Sequence, residues 1–301
     1  MRLLLGWLIY PALMAATVGS TVLLYKAHLP AVAVVALVTS GAAVLIIALE
    51  RVLPYRREWL RSHGDLRVDL SHLIFSGALA EAGRAGILAG LTLGAIALSR
   101  AIGTTVWPNA WPLWVQVPLA LVIAELGAYW AHRAMHETGL FRIHAVHHSA
   151  PRLYWLNGMR LHPLDTVWSG LSMAPLVLLG AGDRMLVVFA TFAGVHMMMQ
   201  HANLDTRLGP LNWIFSMNEV HRWHHSRVIA EQNGNYGGVL LLWDVVFGTR
   251  FYPTDRTPPV DVGLAGLRDF PTGYVAQLAS PFRSALWRRG RDVPVGSRTD
   301  R

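Results

Sequence analysis

His132-Arg133-Ala134-Met135-His136, His144-Ala145-Val146-His147-His148 and His221-Arg222-Trp223-His224-His225 are three clusters of one kind, all with helical spacing. On an α-helix, positions i, i+3 and i+4 share a face, so each cluster projects two or three imidazoles toward a common point. Eleven of the fourteen histidines lie between His132 and His225, and eight of them fall in these clusters. A lone histidine on a helix is ordinarily a packed or solvated side chain; this concentration argues for ligation instead. Neutral imidazole suits iron, zinc, copper and nickel, and with no cysteine in the chain thiolate ligation is excluded. Eight imidazoles exceed the four positions around a tetrahedral ion, so two adjacent metals fit the count better.

Around the clusters the chain is too apolar for an ordinary soluble domain. Of 301 residues, 53% are hydrophobic and 15% charged, with a mean hydropathy of +0.36. Spans are expected at residues 3–24, 31–49, 73–98 and 113–131, each near the twenty apolar residues that cross the hydrocarbon. The first has Arg2 before an apolar run and small residues at Ala15 and Ala16, as a signal peptide would, but its length and the second span favour a retained anchor. Arg51, Arg56, Arg57, Arg61 and Arg67 follow the second span. By the positive-inside rule this loop is cytoplasmic, and counting crossings puts the three clusters and both termini on that side. The expected fold is therefore all-α: a multi-pass membrane helical bundle with a histidine-rich helical cap on its cytoplasmic side, in the bacterial inner membrane.

Charges inside the spans are few. Glu81 and Arg84, three residues apart, read as a structural ion pair, and Glu125, about two helical turns before His132, either lines the site or pairs. Residues 167–199 hold two apolar runs around Gly180-Ala181-Gly182, a helical hairpin that is buried in protein or dips into the bilayer as readily as it crosses twice. The chain divides into an N-terminal transmembrane region (1–112), a catalytic region (113–252) and a polar, arginine-bearing cytoplasmic tail (253–301). A tail solvated beside anionic headgroups absorbs the net charge of +8 without any nucleic acid.

The order HxxxH, HxxHH, HxxHH on a hydrophobic chain of this length resembles the fatty acid hydroxylase and sterol desaturase superfamily of membrane di-iron oxygenases. Three further stretches resemble family segments. Asn157-Gly158-Met159-Arg160-Leu161-His162-Pro163-Leu164-Asp165 is similar to its single-histidine segment and His201-Ala202-Asn203-Leu204 to its HxN-type segment. Asn235-Tyr236-Gly237 with Trp243-Asp244-Val245-Val246-Phe247-Gly248-Thr249 is similar to its closing signature. The resemblance covers residues 125–252. It implies that His132, His136, His144, His147, His148, His221, His224 and His225 are metal ligands, with His162 and His201 supplementary and His196 ranked last. It further implies two iron ions, dioxygen as co-substrate, and hydroxylation or desaturation of a C–H bond in a sterol, fatty acyl or related lipid drawn from the bilayer.

Glu137, Asp165, Asp205 and Glu219 are placed to accept hydrogen bonds from ligand rings, while Arg222 and Trp223 point away from the metals. Asn157 and Asn203 read as donors beside the ligands or as turn residues, and Asn235-Tyr236-Gly237 mainly as a turn. With no cysteine for an iron–sulfur centre and no GxGxxG fingerprint, the chain needs an external electron donor, a reductase or small carrier. Two other readings are weighed. A zinc-dependent membrane hydrolase would need a general base, but Arg133 stands where HExxH places glutamate; zinc can still substitute for iron in purified material. A non-enzymatic haem or metal-binding membrane protein leaves the doubled His147-His148 and His224-His225 without a purpose.

Overall fold

Why the histidines meet is decided by where the long helices end. The structure, a computed structural model, describes residues 2–267 and 269–289. Helices α1 (Arg2–Lys26) and α2 (Ala31–Val52) are followed by one continuous run made of α3 (Leu66–Ser71), a π-helical turn (His72–Ser76) and α4 (Gly77–Ile102). The next long helix is α5 (Leu113–Glu137). These four, with the third taken as Leu66–Ile102, are long and apolar enough to cross a membrane. No strand forms among the described residues, only isolated bridges such as Pro54 with Leu204 and Phe215 with Leu240. The all-α expectation holds.

Two boundaries lie beyond those expected from hydropathy. The third span begins at residue 66 rather than 73, because Asp69 is buried against the Arg160 guanidinium and His72 against Gln277, so protein rather than water stabilises the polar turn. The fourth runs past residue 131 to Glu137, carrying His132 and His136 on its last two turns.

The cap is built from shorter pieces. In order they are α6 (Phe141–His148), α7 (Pro163–Gly170), α8 (Ala174–Leu178), α9 (Asp183–His201), α10 (Asn218–His224), α11 (Ile229–Gln232), α12 (Leu242–Val246), α13 (Tyr274–Ala279) and α14 (Ser284–Arg289). The hairpin expected at 167–199 is asymmetric. Its first arm is broken into α7, a 3-10 turn and α8, whereas its second is the nineteen-residue α9. Val195, Met198 and Met199 of α9 pack with Ile9, Leu13, Ala42 and Ile46, and its Met185 and Phe189 pack with Ala120, Leu121 and Ala124 of α5. α9 is thus packed against protein over most of its length, and its last residue, His201, is delivered to the cap. Glu81 and Arg84 pair at 2.6 Å, as expected.

Buried charge fixes the loop that follows α6. Arg152 grips the Asp65 carboxylate at 2.6 and 3.1 Å, Arg160 pairs with Asp69, and the Tyr154 hydroxyl donates to Asp69 at 2.6 Å. Glu50, at the end of α2, accepts from the backbone N–H groups of Trp155 and Asn203 at 2.9 and 2.8 Å. The loop between α2 and α3 is held to the cap from its other side: Tyr55 N–H donates to Asn203 O, and Arg56 N–H to the Asn203 side chain. The basic loop and the end of α9 therefore lie at one end of the bundle.

The segment read as a solvated tail packs instead over residues 262–287. Leu264 and Trp287 cover Ala145 of α6, Val262 packs on Trp59 and Leu153, and Gly263 N–H donates to His225 O at 3.0 Å. Interspersed apolar side chains explain the difference: they are too few to read as an element, yet enough to close over the cap. Arg268, Arg291 and Arg298 of that segment lie outside the described residues.

Removing one partner of a buried pair leaves the other charge uncompensated, at a cost of about 3–5 kcal/mol. Arg152→Ala is accordingly expected to lower the Tm of the detergent-solubilised protein by well over that of an exposed arginine change such as Arg57→Ala. Equal melting temperatures for the two variants would contradict this account of the loop.

Candidate metal centre

Nine histidines converge in two adjoining groups. His132, His136, His144, His148 and His224 form one, and His147, His201, His221 and His225 the other; within each, the ligand atoms lie within 4.8 Å of one another. All are buried except His132, which is partly so. The groups touch: the rings of His148 and His225 stack at 4.4 Å between centroids.

The doubled histidines have a geometrical purpose. His144 and His148, one turn apart on α6, serve the five-histidine group, while His147 between them serves the other. On and just after α10 the roles are exchanged: His221 and His225 serve the four-histidine group and His224 the five-histidine group. Successive residues on a helix differ by about 100°, so each HxxHH segment reaches two neighbouring points. A helix presenting only an i, i+4 pair, as α5 does with His132 and His136, reaches one.

The rings are oriented through their other nitrogens. His132 Nδ1 lies 2.8 Å from Tyr236 O and His224 Nδ1 2.8 Å from Gly234 O, where each backbone carbonyl accepts a ring N–H. His201 Nδ1 meets Asn157 Oδ1 at 3.0 Å, the side-chain amide of Gln232 lies 2.9 Å from His148 Nδ1, and His144 Nδ1 donates to Asp165 Oδ2 at 2.7 Å. Those bonds leave Nε2 facing inward. There His132 Nε2 lies 3.0 Å from His144 Nε2, and His221 Nε2 lies 2.9 and 3.0 Å from those of His201 and His225. Meanwhile both nitrogens of His136, Nε2 of His148 and Nε2 of His224 are buried without a hydrogen-bond partner among the described residues.

Such orphaned, converging lone pairs fit metal ions. Neutral imidazole donors of this kind suit iron, zinc, copper or nickel.

His162 and His196 stand outside both groups. His162 is the N-cap of α7, its Nδ1 accepting from Leu164 N–H, and its Nε2 lies 3.2 Å from Leu278 O. The following Pro163 at the first helical position is the sequence signal for that capping role. His196 is buried between the Tyr10 hydroxyl, at 2.9 Å, and Ser216 O, at 3.1 Å.

Of the four acids expected beside the ligands, only Asp165 touches a ring. Glu137 pairs with Arg133, Glu219 accepts from Leu208 N–H and the Asn212 amide, and Asp205 is exposed. Arg222 and Trp223 do point away: Arg222 stacks 3.6 Å over the Tyr55 ring and Trp223 packs on Phe251, both buried by protein. Glu125 does not meet the rings. Its carboxylate accepts from Val239 and Leu240 N–H at 3.0 and 3.3 Å, and Asp244 takes Tyr236 and Gly237 N–H, so two acids clamp the turn whose Tyr236 carbonyl holds His132. Gly237 is required there, since a Cβ would stand 2.1 Å from Leu240 O. Gln232 and the carbonyls of Gly234 and Tyr236 carry no sequence signal.

Burial holds the rings of His147, His148, His221, His224 and His225 well below the usual imidazole range, and pushes His201 down to about 3. They are therefore neutral, the form that ligates. Because the unfolded chain binds protons near pH 6.5 and the folded one does not, this stability is present above that pH and lost as pH falls toward the folded values. The metal-free protein should keep a steady Tm from pH 8 to 7 and lose it progressively from pH 6.5 to 5; a Tm that rises over the acidic range would contradict the buried-neutral assignment.

Comparison with known proteins agrees with this geometry. Residues 117–249, which contain all nine converging histidines, match the fatty acid hydroxylase family. The chain is 40% identical over 264 residues to an ornithine lipid hydroxylase of Rhizobium tropici, covering 85% of this chain and 77% of that one. It is 32% identical over 189 residues to the alkylglycerol monooxygenase of Danio rerio and 30% identical over 132 residues to methylsterol monooxygenase 1 of Rattus norvegicus. Those alignments cover 62% and 42% of this chain, and 40% and 44% of the relatives. No solved structure matches. With the Rhizobium relative matched over most of both chains and both all-histidine groups inside residues 117–249, the chain belongs to the fatty acid hydroxylase family.

Proposed function

We propose that this protein is a membrane di-iron oxidoreductase that uses dioxygen to hydroxylate a C–H bond of a bilayer lipid. The observation that carries the reading is the pair of adjoining, carboxylate-free histidine groups at the end of apolar helices. Relatives named hydroxylase and monooxygenase favour hydroxylation over desaturation. The overall balance is R–H + O2 + 2 e⁻ + 2 H⁺ → R–OH + H2O. The two electrons come from a separate reductase or carrier, since the chain has no cysteine for an iron–sulfur centre.

The ligands are His132, His136, His144, His148 and His224 for one iron and His147, His201, His221 and His225 for the other. The bound pair supplies reductive activation of dioxygen at an unactivated C–H bond. The chain's own residues supply order and exclusion of water. Tyr236 O, Gly234 O, Asn157 and Asp165 fix the ring tautomers, so Nε2 is the inward atom. Trp223, Tyr236 and the 262–264 segment close the cap against solvent. Below it, an apolar groove of about 500 Å³ opens on α5 between Leu121, Phe192, Phe215, Leu240 and Val245, which supports entry of a lipid chain from the bilayer. The arginine loop at the same end as the cap supports a cytoplasmic active site by the positive-inside rule.

Loss of His148 or His225, the two rings at the junction of the groups, should lower incorporation of labelled oxygen from ¹⁸O2 into membrane lipid by at least about 100-fold, the upper range for disturbing even outer partners of a metal ligand. His162→Ala, outside the groups, should retain labelled product. Lipid mass spectrometry of membranes from expressing cells reads both, and full activity in His148→Ala or His225→Ala would overturn the assignment.

A further inference from the structure

The two histidine groups differ in charge. Five ligand rings have an Nδ1 held by another residue. Four of these partners are uncharged: Tyr236 O, Gly234 O, and the side-chain amides of Gln232 and Asn157. The fifth is the Asp165 carboxylate against His144, with both side chains almost fully buried. Its neighbours fix its position. Asp165 lies in the first turn of α7, its other oxygen takes the Ser169 hydroxyl at 3.2 Å, and α7 is capped by His162.

Among the described residues no carboxylate touches a ring of the four-histidine group. Acids of the cap are engaged elsewhere: Glu50 with Trp155 and Asn203 N–H, Glu219 with Leu208 and Asn212, and Glu231 with Ser226 and Arg256. Among the described residues, Nδ1 of His147 and of His221 has no hydrogen-bond partner.

We infer that Asp165 is a positioning residue that makes the paired site electronically unequal, so that the metal in the five-histidine group is the first of the two to be oxidised. This rests on the di-iron reading above. A carboxylate accepting from Nδ1–H fixes the tautomer and raises the basicity of Nε2, and its charge favours the higher oxidation state of the ion that His144 holds. The buried, water-poor surroundings keep that charge unscreened. His144 serves only the five-histidine group, so its neighbour receives the effect more weakly.

The test uses full-length protein loaded with ⁵⁷Fe in lipid nanodiscs, titrated electrochemically and followed by Mössbauer spectroscopy. Wild type should oxidise in two resolved steps, with valence trapped on one ion at the midpoint. Asp165→Asn keeps the size and loses the charge; its first midpoint potential should rise toward the second, and Asp165→Glu should restore the separation. Asn157→Asp places a carboxylate against His201 in the other group and should lower the second potential, which decides the matter even where Asp165→Asn binds iron poorly. Iron-loaded variants with the wild-type separation would overturn the inference while leaving the di-iron reading intact. Wild-type protein that takes up no iron overturns both.

Discussion

Nine imidazoles are packed so that their inward nitrogens face one another a few ångström apart; those of His136, His148 and His224 have no hydrogen-bond partner among the described residues, and those of His132, His144, His201, His221 and His225 meet only neighbouring rings. Buried, unpaired polar atoms are costly, so a fold that accumulates them in one place is built around a ligand that supplies what is missing. Most of the remaining architecture reads as support for that crowding. Five outer nitrogens are held, and three of the groups that hold them are themselves tied down: Tyr236 by Asp244, Asn157 by the Arg152 backbone carbonyl, Asp165 by Ser169.

The supporting ties cross the whole chain. Asp65 and Asp69 reach from the start of the third span to the loop after α6, Glu50 from the end of α2 to both that loop and the end of α9, and Glu125 from within α5 to the turn at 238–240. Inside a bilayer, helices gain little from hydrophobic transfer and rely on close packing and polar contacts. The charged residues at the helix ends therefore do what an apolar core does in a soluble protein: they fix the mutual depth of the helices, and with it the register of the histidines.

Much of this is legible in the sequence, for identifiable reasons. Spans are readable because twenty apolar residues have few other uses, and the HxxHH segments because i, i+3, i+4 spacing dictates a shared face. Asp165 is readable from its proximity to the clusters. The limits are as physical. Helix ends at 66 and 137 rest on tertiary partners rather than on hydropathy, backbone carbonyls such as Tyr236 O have no residue-type signature, and which of four acids reaches a ring depends on the path of the loop. His162 and His196 belong to histidine-rich surroundings but end as a helix cap and a buried hydrogen-bonding residue, respectively. Histidine count alone does not separate these roles; the neighbouring Pro163 does so for His162.

The central claim is that two irons occupy two adjoining histidine groups. Metal content per chain after anaerobic purification from iron-supplemented cells tests it most directly. The account predicts about two irons per chain in the wild type, falling in His221→Ala and His136→Ala through loss from different groups. A single tightly held zinc with no iron, or no metal at all, would contradict it.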